Sequence, residues 1–145
     1  MAATGELEKH KKEKLFALFR NNNILAVYLF GSRADGTAFA DSDYDFGILL
    51  RETPALEKAS SIMMEIQDEA AKILNCKIDV VVLNTATIEQ KFLIISRGLL
   101  LFSEDDNLRT DFEDVTIRDY LDFKPFLDAY RRDVREAIKA GEFYA

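Results

Sequence analysis

The sequence predicts an α/β (α+β) fold: a β-sheet of three to four strands flanked by helices, followed by a C-terminal helical extension over about 105–140. Two observations point there. Short, almost wholly apolar runs at 24–30, 43–50, 77–83 and 99–102 have the length and composition of strands, and longer segments of helical periodicity separate them. From about residue 105 onward the apolar spacing is helical alone.

In chain order, Glu6 to Arg20 places Leu7, Leu15, Leu18 and Phe19 on one helical stripe among charged residues, and Asn21-Asn22-Asn23 ends it. Ile24 to Phe30 is apolar and short, as a buried strand would be, and runs directly into Gly31-Ser32. Residues 33–42 are small and polar, the composition of a loop. In the strand from Asp43 to Leu50, the period of two sets Asp43, Asp45, Gly47 and Leu49 on one face and Tyr44, Phe46, Ile48 and Leu50 on the other.

Thr53-Pro54 predicts a helix start, with a capping hydroxyl before a proline at the first helical position. Leu56, Ala59, Ile62, Met63, Ile66, Ala70 and Ile73 mark its apolar face, and Asn75 closes it. Lys77 to Leu83 predicts a strand with Ile78, Val80 and Val82 on one side and Asp79 on the other. Thr85 to Arg97 predicts a helix stopped by Gly98, and Leu99 to Phe102 a short edge strand. In the tail, Phe112, Val115, Phe123, Phe126, Leu127, Tyr130, Val134 and Ile138 recur at helical spacing, with Pro125 a break or kink.

A chain of 145 residues suits one domain, 1–145, with a core over about 24–103. The net charge of −7 argues against a broad basic surface for nucleic acid. Cys76 has no second cysteine to pair with, no apolar run is long enough to span a bilayer, and residues 1–14 lack the apolar stretch of a signal peptide; a cytoplasmic setting is expected. His10 lies among lysines as a surface residue, and Cys76 is expected to be a small apolar core group.

The chemistry lies in Gly31-Ser32 and, ten residues on, Asp43-Tyr44-Asp45. Attack on the α-phosphate of a nucleoside triphosphate places charge on both the entering and departing oxygens, and two divalent metals neutralise it. Mg²⁺ prefers hard oxygen donors and commonly takes one or two protein carboxylates plus substrate. Aspartates two apart on a strand supply such a pair, with Tyr44 between them facing the core. A strand ending in Gly-Ser offers backbone N–H groups and a hydroxyl to the triphosphate, and Gly31 lets the backbone come close. Arg33 either adds charge there or faces solvent. Asp79, taken alone, could be an exposed strand-end acid.

This spacing, within LFGSRADGTAFADSDYDFGILL, resembles the signature of the DNA polymerase β nucleotidyltransferase superfamily, and residues 24–83 follow that family's element order. The resemblance implies a mixed sheet of the DNA polymerase β-like fold. It further implies a site of Asp43, Asp45 and Asp79 holding two Mg²⁺ ions, with Asp79 orienting or deprotonating the nucleophile, and Gly31, Ser32 and Arg33 at the nucleotide. The segment KIDVVVLNTATIEQKFLIISRGLLLF resembles the minimal nucleotidyltransferase (MNT) antitoxins that pair with HEPN-domain ribonuclease toxins. That likeness implies transfer of AMP from ATP to a toxin tyrosine with release of pyrophosphate. Two other expectations stay open: a catalytically silent antitoxin that occludes its partner, and a small-molecule, aminoglycoside-type transferase. Of the 11 Phe and 5 Tyr, 8 lie between Phe102 and Tyr144, so the tail either faces a partner or packs on the chain's own sheet.

Overall fold

The computed structural model describes residues 8–31 and 43–141. Helix α1 (Lys9–Asn21) buries Leu15 and Phe19, as the stripe predicts, while Leu7 lies outside the described residues. The chain turns at Asn23, whose φ of 59° lies in the left-handed region that Asn tolerates. Strand β1 (Ile24–Phe30) follows at the predicted bounds. Strand β2 (Tyr44–Leu50), helix α2 (Leu56–Leu74) and strand β3 (Ile78–Val82) come next, then helix α3 (Ile88–Arg97), strand β4 (Leu99–Ser103) and helix α4 (Asp106–Lys139).

The sheet is mixed, in the order β3-β2-β1-β4. β1 runs antiparallel to both β2 and β4, and β2 runs parallel to β3. Two parallel neighbours need a crossover, and α2 supplies it. Because β1 is central and covered on both faces, six of its seven residues are buried, which is why its sequence shows no polar alternation.

One face of the sheet carries Val27, Leu29, Phe46, Ile48, Val80, Val82 and Phe102 against α1 and α2, with Phe19 packed edge-on to Phe46. The opposite face carries Leu25, Tyr28 and Leu49 against Leu83 and Ile94. Gly47 belongs to this second face, and a Cβ there would come within 2.9 Å of the Ile94 side chain, so its absence sets how closely α3 approaches β2.

Three expectations are corrected. Helix α2 starts at Leu56, and its cap position, Ala55, makes no side-chain capping bond, so Thr53-Pro54 precede the helix. The reason lies in Asn84, which brackets the end of β2: its Oδ1 accepts from the Leu50 N–H at 2.8 Å and its Nδ2 donates to the Leu50 carbonyl at 3.0 Å and to the Thr53 hydroxyl at 3.4 Å. The helix predicted from Thr85 is a short 3₁₀ turn (Leu83–Thr85) and then α3, capped by the Thr87 hydroxyl, which accepts from the Gln90 N–H at 3.1 Å. Pro125 does not break α4, which is continuous over 34 residues.

At 1.5 Å per residue α4 is about 51 Å long, far longer than the strands beneath it. Its first half is anchored. Tyr28 Oη donates to Glu113 at 2.5 Å, Arg109 donates to Glu113 at 2.8 Å and to the Ser103 hydroxyl at 3.1 Å, and Phe92 stacks on Tyr120 with centroids 3.9 Å apart. Arg131 bonds Glu89 of α3 at 2.5 Å. Leu127 is buried, but Phe126 is 73% exposed, Tyr130 66% and Ile138 50%, so most of the aromatic stripe does not pack on the chain's own sheet.

Candidate active site

The catalytic candidates gather at one end of the sheet because of its register. β1 opposes β2 with Phe30 across from Asp45, so Gly31, the next residue, arrives beside the carboxylate. β3 pairs in parallel with Asp79 directly beside Asp45. Neighbours in register share a face, so both acids project from the side that carries Gly47 and Leu49. Tyr44, between Asp43 and Asp45, is 6% exposed on the opposite, core face.

Gly31 has φ +77°, and a Cβ on it would lie 2.2 Å from Asp45 Oδ2. The glycine therefore does more than permit a close backbone. It vacates the volume that the Asp45 carboxylate occupies. Ser32 and Arg33, assigned from the sequence to the nucleotide, and the loop 33–42 lie outside the described residues.

Asp45 is half-buried, and its carboxyl is held above the usual range, first by burial and then by the negative charges of Asp79 and Asp43; Lys77 opposes this. Asp43, just before β2, has one carboxylate oxygen 3.9 Å from Lys77 Nζ. Asp79 is exposed. With Asp79 and Asp43 both raising the proton affinity of Asp45, this sheet end is a site short of positive charge. Their all-oxygen donor set suits Mg²⁺, which takes one or two carboxylates and completes its shell with water and phosphate. Among the described residues no three metal-donating side chains converge on one point, and Asp43 is directed at Lys77 instead.

Lys77 is the participant that the motif does not contain. Its place was nonetheless encoded: with Tyr44 beside Ile78 in a parallel pair, the preceding residues, Asp43 and Lys77, must be neighbours. His10 is exposed beside Glu8 at 3.4 Å, far from any of this in the chain, and Cys76 packs partly buried against the main core. Among the described residues, no helix is long and apolar enough to cross a membrane.

A mixed sheet that brings a strand-end glycine, a strand Asp-x-Asp and a third acid on the next strand to one edge defines the nucleotidyltransferase class of site. Residues 13–107 match the model of the Polymerase beta, Nucleotidyltransferase family, and the chain belongs to that family. A Methanocaldococcus jannaschii protein described as a candidate protein adenylyltransferase is 35% identical over 79 residues, which span 54% of this chain and 83% of that one. Among solved structures, a chain of a toxin–antitoxin complex crystallised with AMP-PNP superposes with a TM-score of 0.72 at 25% identity, over 86% of this chain and 98% of its own length. The fold is also shared with a chain from the complex of tri-AMPylated Shewanella oneidensis HEPN toxin and MNT antitoxin, with a TM-score of 0.70 at 22% identity over 89% of this chain and 99% of the other.

Proposed function

We propose that this chain is an MNT-type protein adenylyltransferase that transfers AMP from ATP to a tyrosine of a HEPN-domain toxin and so acts as its antitoxin. The observation that carries the reading is the register that sets Asp45 beside Asp79 and Gly31 against Asp45. Its nucleotide is supported by the relative named as an adenylyltransferase and by the AMP-PNP complex. Its partner is supported by the resemblance of residues 77–102 to MNT antitoxins and by the fold shared with the HEPN complex.

Asp43, Asp45 and Asp79 would hold two Mg²⁺ ions, which when bound would neutralise charge on the reacting and departing oxygens. Gly31 keeps the Asp45 carboxylate in place, and Ser32, with Arg33, meets the triphosphate. Asp79, the most exposed of the acids, takes the phenolic proton as the tyrosine oxygen forms its bond to the α-phosphorus and the bond to pyrophosphate breaks. The exposed half of α4, with Phe126 and Tyr130, faces the partner.

Incubation with Mg²⁺, each nucleoside triphosphate and the HEPN protein encoded beside this chain, followed by intact-mass measurement, tests the reading. The expected result is one or more AMP additions to the toxin with ATP alone, lost in the Asp43→Asn, Asp45→Asn protein. Transfer that survives the double substitution would remove the carboxylates from the mechanism, and full neutralisation without any mass gain would favour a silent, occluding antitoxin.

A further inference from the structure

Lys77 stands beside the acid cluster, and its position is built in. Its carbonyl accepts from the Tyr44 N–H at 3.2 Å, which ties the residue before β3 to the residue after Asp43 and fixes the two side chains in adjacent rows. The ammonium then lies 3.9 Å from Asp43 Oδ2. Lys77 is 70% exposed and Asp43 43%, so the pair forms in water and the lysine can leave it at small cost.

We propose that Lys77 is a positioning residue that serves as resident counter-cation to Asp43 and competes with a divalent ion for that carboxylate. This rests on the metal reading given above. In its ion pair the lysine offsets part of the repulsion at Asp45 and gives Asp43 a partner other than the two neighbouring acids. The flexible stem of lysine would let the ammonium withdraw from Asp43 when a divalent ion is bound there. The site thereby takes up metal weakly unless nucleotide phosphates add their own negative charge.

Mn²⁺ binding to the full chain without nucleotide, followed by the loss of the free-ion electron paramagnetic resonance signal, is the direct test. Lys77→Met and Lys77→Gln are each expected to bind Mn²⁺ about two- to five-fold more tightly than the unmodified protein, the scale of one exposed ion pair. Lys77→Arg should restore the original affinity. Lys58→Met, an equal charge change on exposed α2, should leave it unaltered. Equal affinities for Lys77→Met and the unmodified chain, or the same gain from Lys58→Met, would overturn the role of Lys77 while leaving the metal site standing. Absence of Mn²⁺ binding from every protein would overturn both.

Discussion

Replacing Gly31 by alanine probes the central contact of the site. The added methyl meets two obstacles: a backbone at φ +77°, and Asp45 Oδ2 at 2.2 Å with its carboxyl carbon at 3.1 Å. An L-residue held in the left-handed region costs about 1–2 kcal/mol. The contact adds to this, because real carbon and oxygen atoms do not approach so closely, and Asp45 must rotate away or the end of β1 must shift. At this chain length about 1–2 kcal/mol lowers Tm by roughly 3–8 °C. Activity suffers more, since a displacement near 1 Å in a positioned group can cost about 100-fold. Thermal unfolding and steady-state AMP transfer measure the two effects, and the expected outcome is a protein that folds yet transfers at about 1% of the original rate. A double-mutant cycle with Asp45→Ala isolates the contact: with the carboxylate gone, Gly31→Ala should cost only the backbone share. Near-normal transfer by Gly31→Ala, or an identical stability loss in both backgrounds, would refute the reasoning.

Further outcomes follow from the same geometry. Asp45→Asn should raise stability in chelator by about 0.2–1 kcal/mol, because it removes one of two like charges in direct register, while transfer is lost. The sign with pH is fixed by the raised Asp45 carboxyl: its ionisation costs the folded state, so the advantage of the Asn variant should grow as pH climbs through the carboxylate range and vanish in acid, as paired denaturant titrations would show. Tyr28→Phe removes the 2.5 Å bond to Glu113 that pins α4 to β1 and should cost about 1 kcal/mol in urea unfolding, with Arg109 still satisfying Glu113. Phe126→Glu with Tyr130→Glu should leave Tm nearly unchanged, within about 0.5 kcal/mol, because both side chains are already exposed, yet weaken toxin binding in calorimetry; tight binding by this variant would move the interface elsewhere.

Most of the architecture was readable because the sheet signals are unambiguous. Ile24–Phe30 is a buried central strand, and a strand without polar interruption has few other places to go. The alternation from Tyr44 to Leu50 assigned both faces correctly, since a period of two leaves only one choice of phase. The errors fell where a long-range partner overrides a local preference. Thr53-Pro54 is a sound local helix start, but Asn84, 34 residues after Leu50, holds the end of β2 and delays the helix to Leu56. Pro125 is a sound local breaker, yet α4 continues through it, with Leu127 buried just beyond and Arg131 bonded to Glu89 on the far side.

The site divides in the same way. The placement of Asp43 and Asp45 was legible because a period of two on a strand sets residues i and i+2 on one face. Asp79 was legible once β3 was known to be a strand, although which neighbour it would face depends on pairing and not on spacing. Lys77 carried no motif, and only the parallel register of β2 with β3 makes it the companion of Asp43. Gly31 was assigned to the approach of the nucleotide, whereas the structure gives it an earlier duty: it makes room for Asp45. The observed contact and the proposed approach of a nucleotide would share one physical cause, a missing Cβ. A glycine at this strand end is therefore required by the acid behind it, and an alanine there would cost the carboxylate its place whether or not a nucleotide is bound.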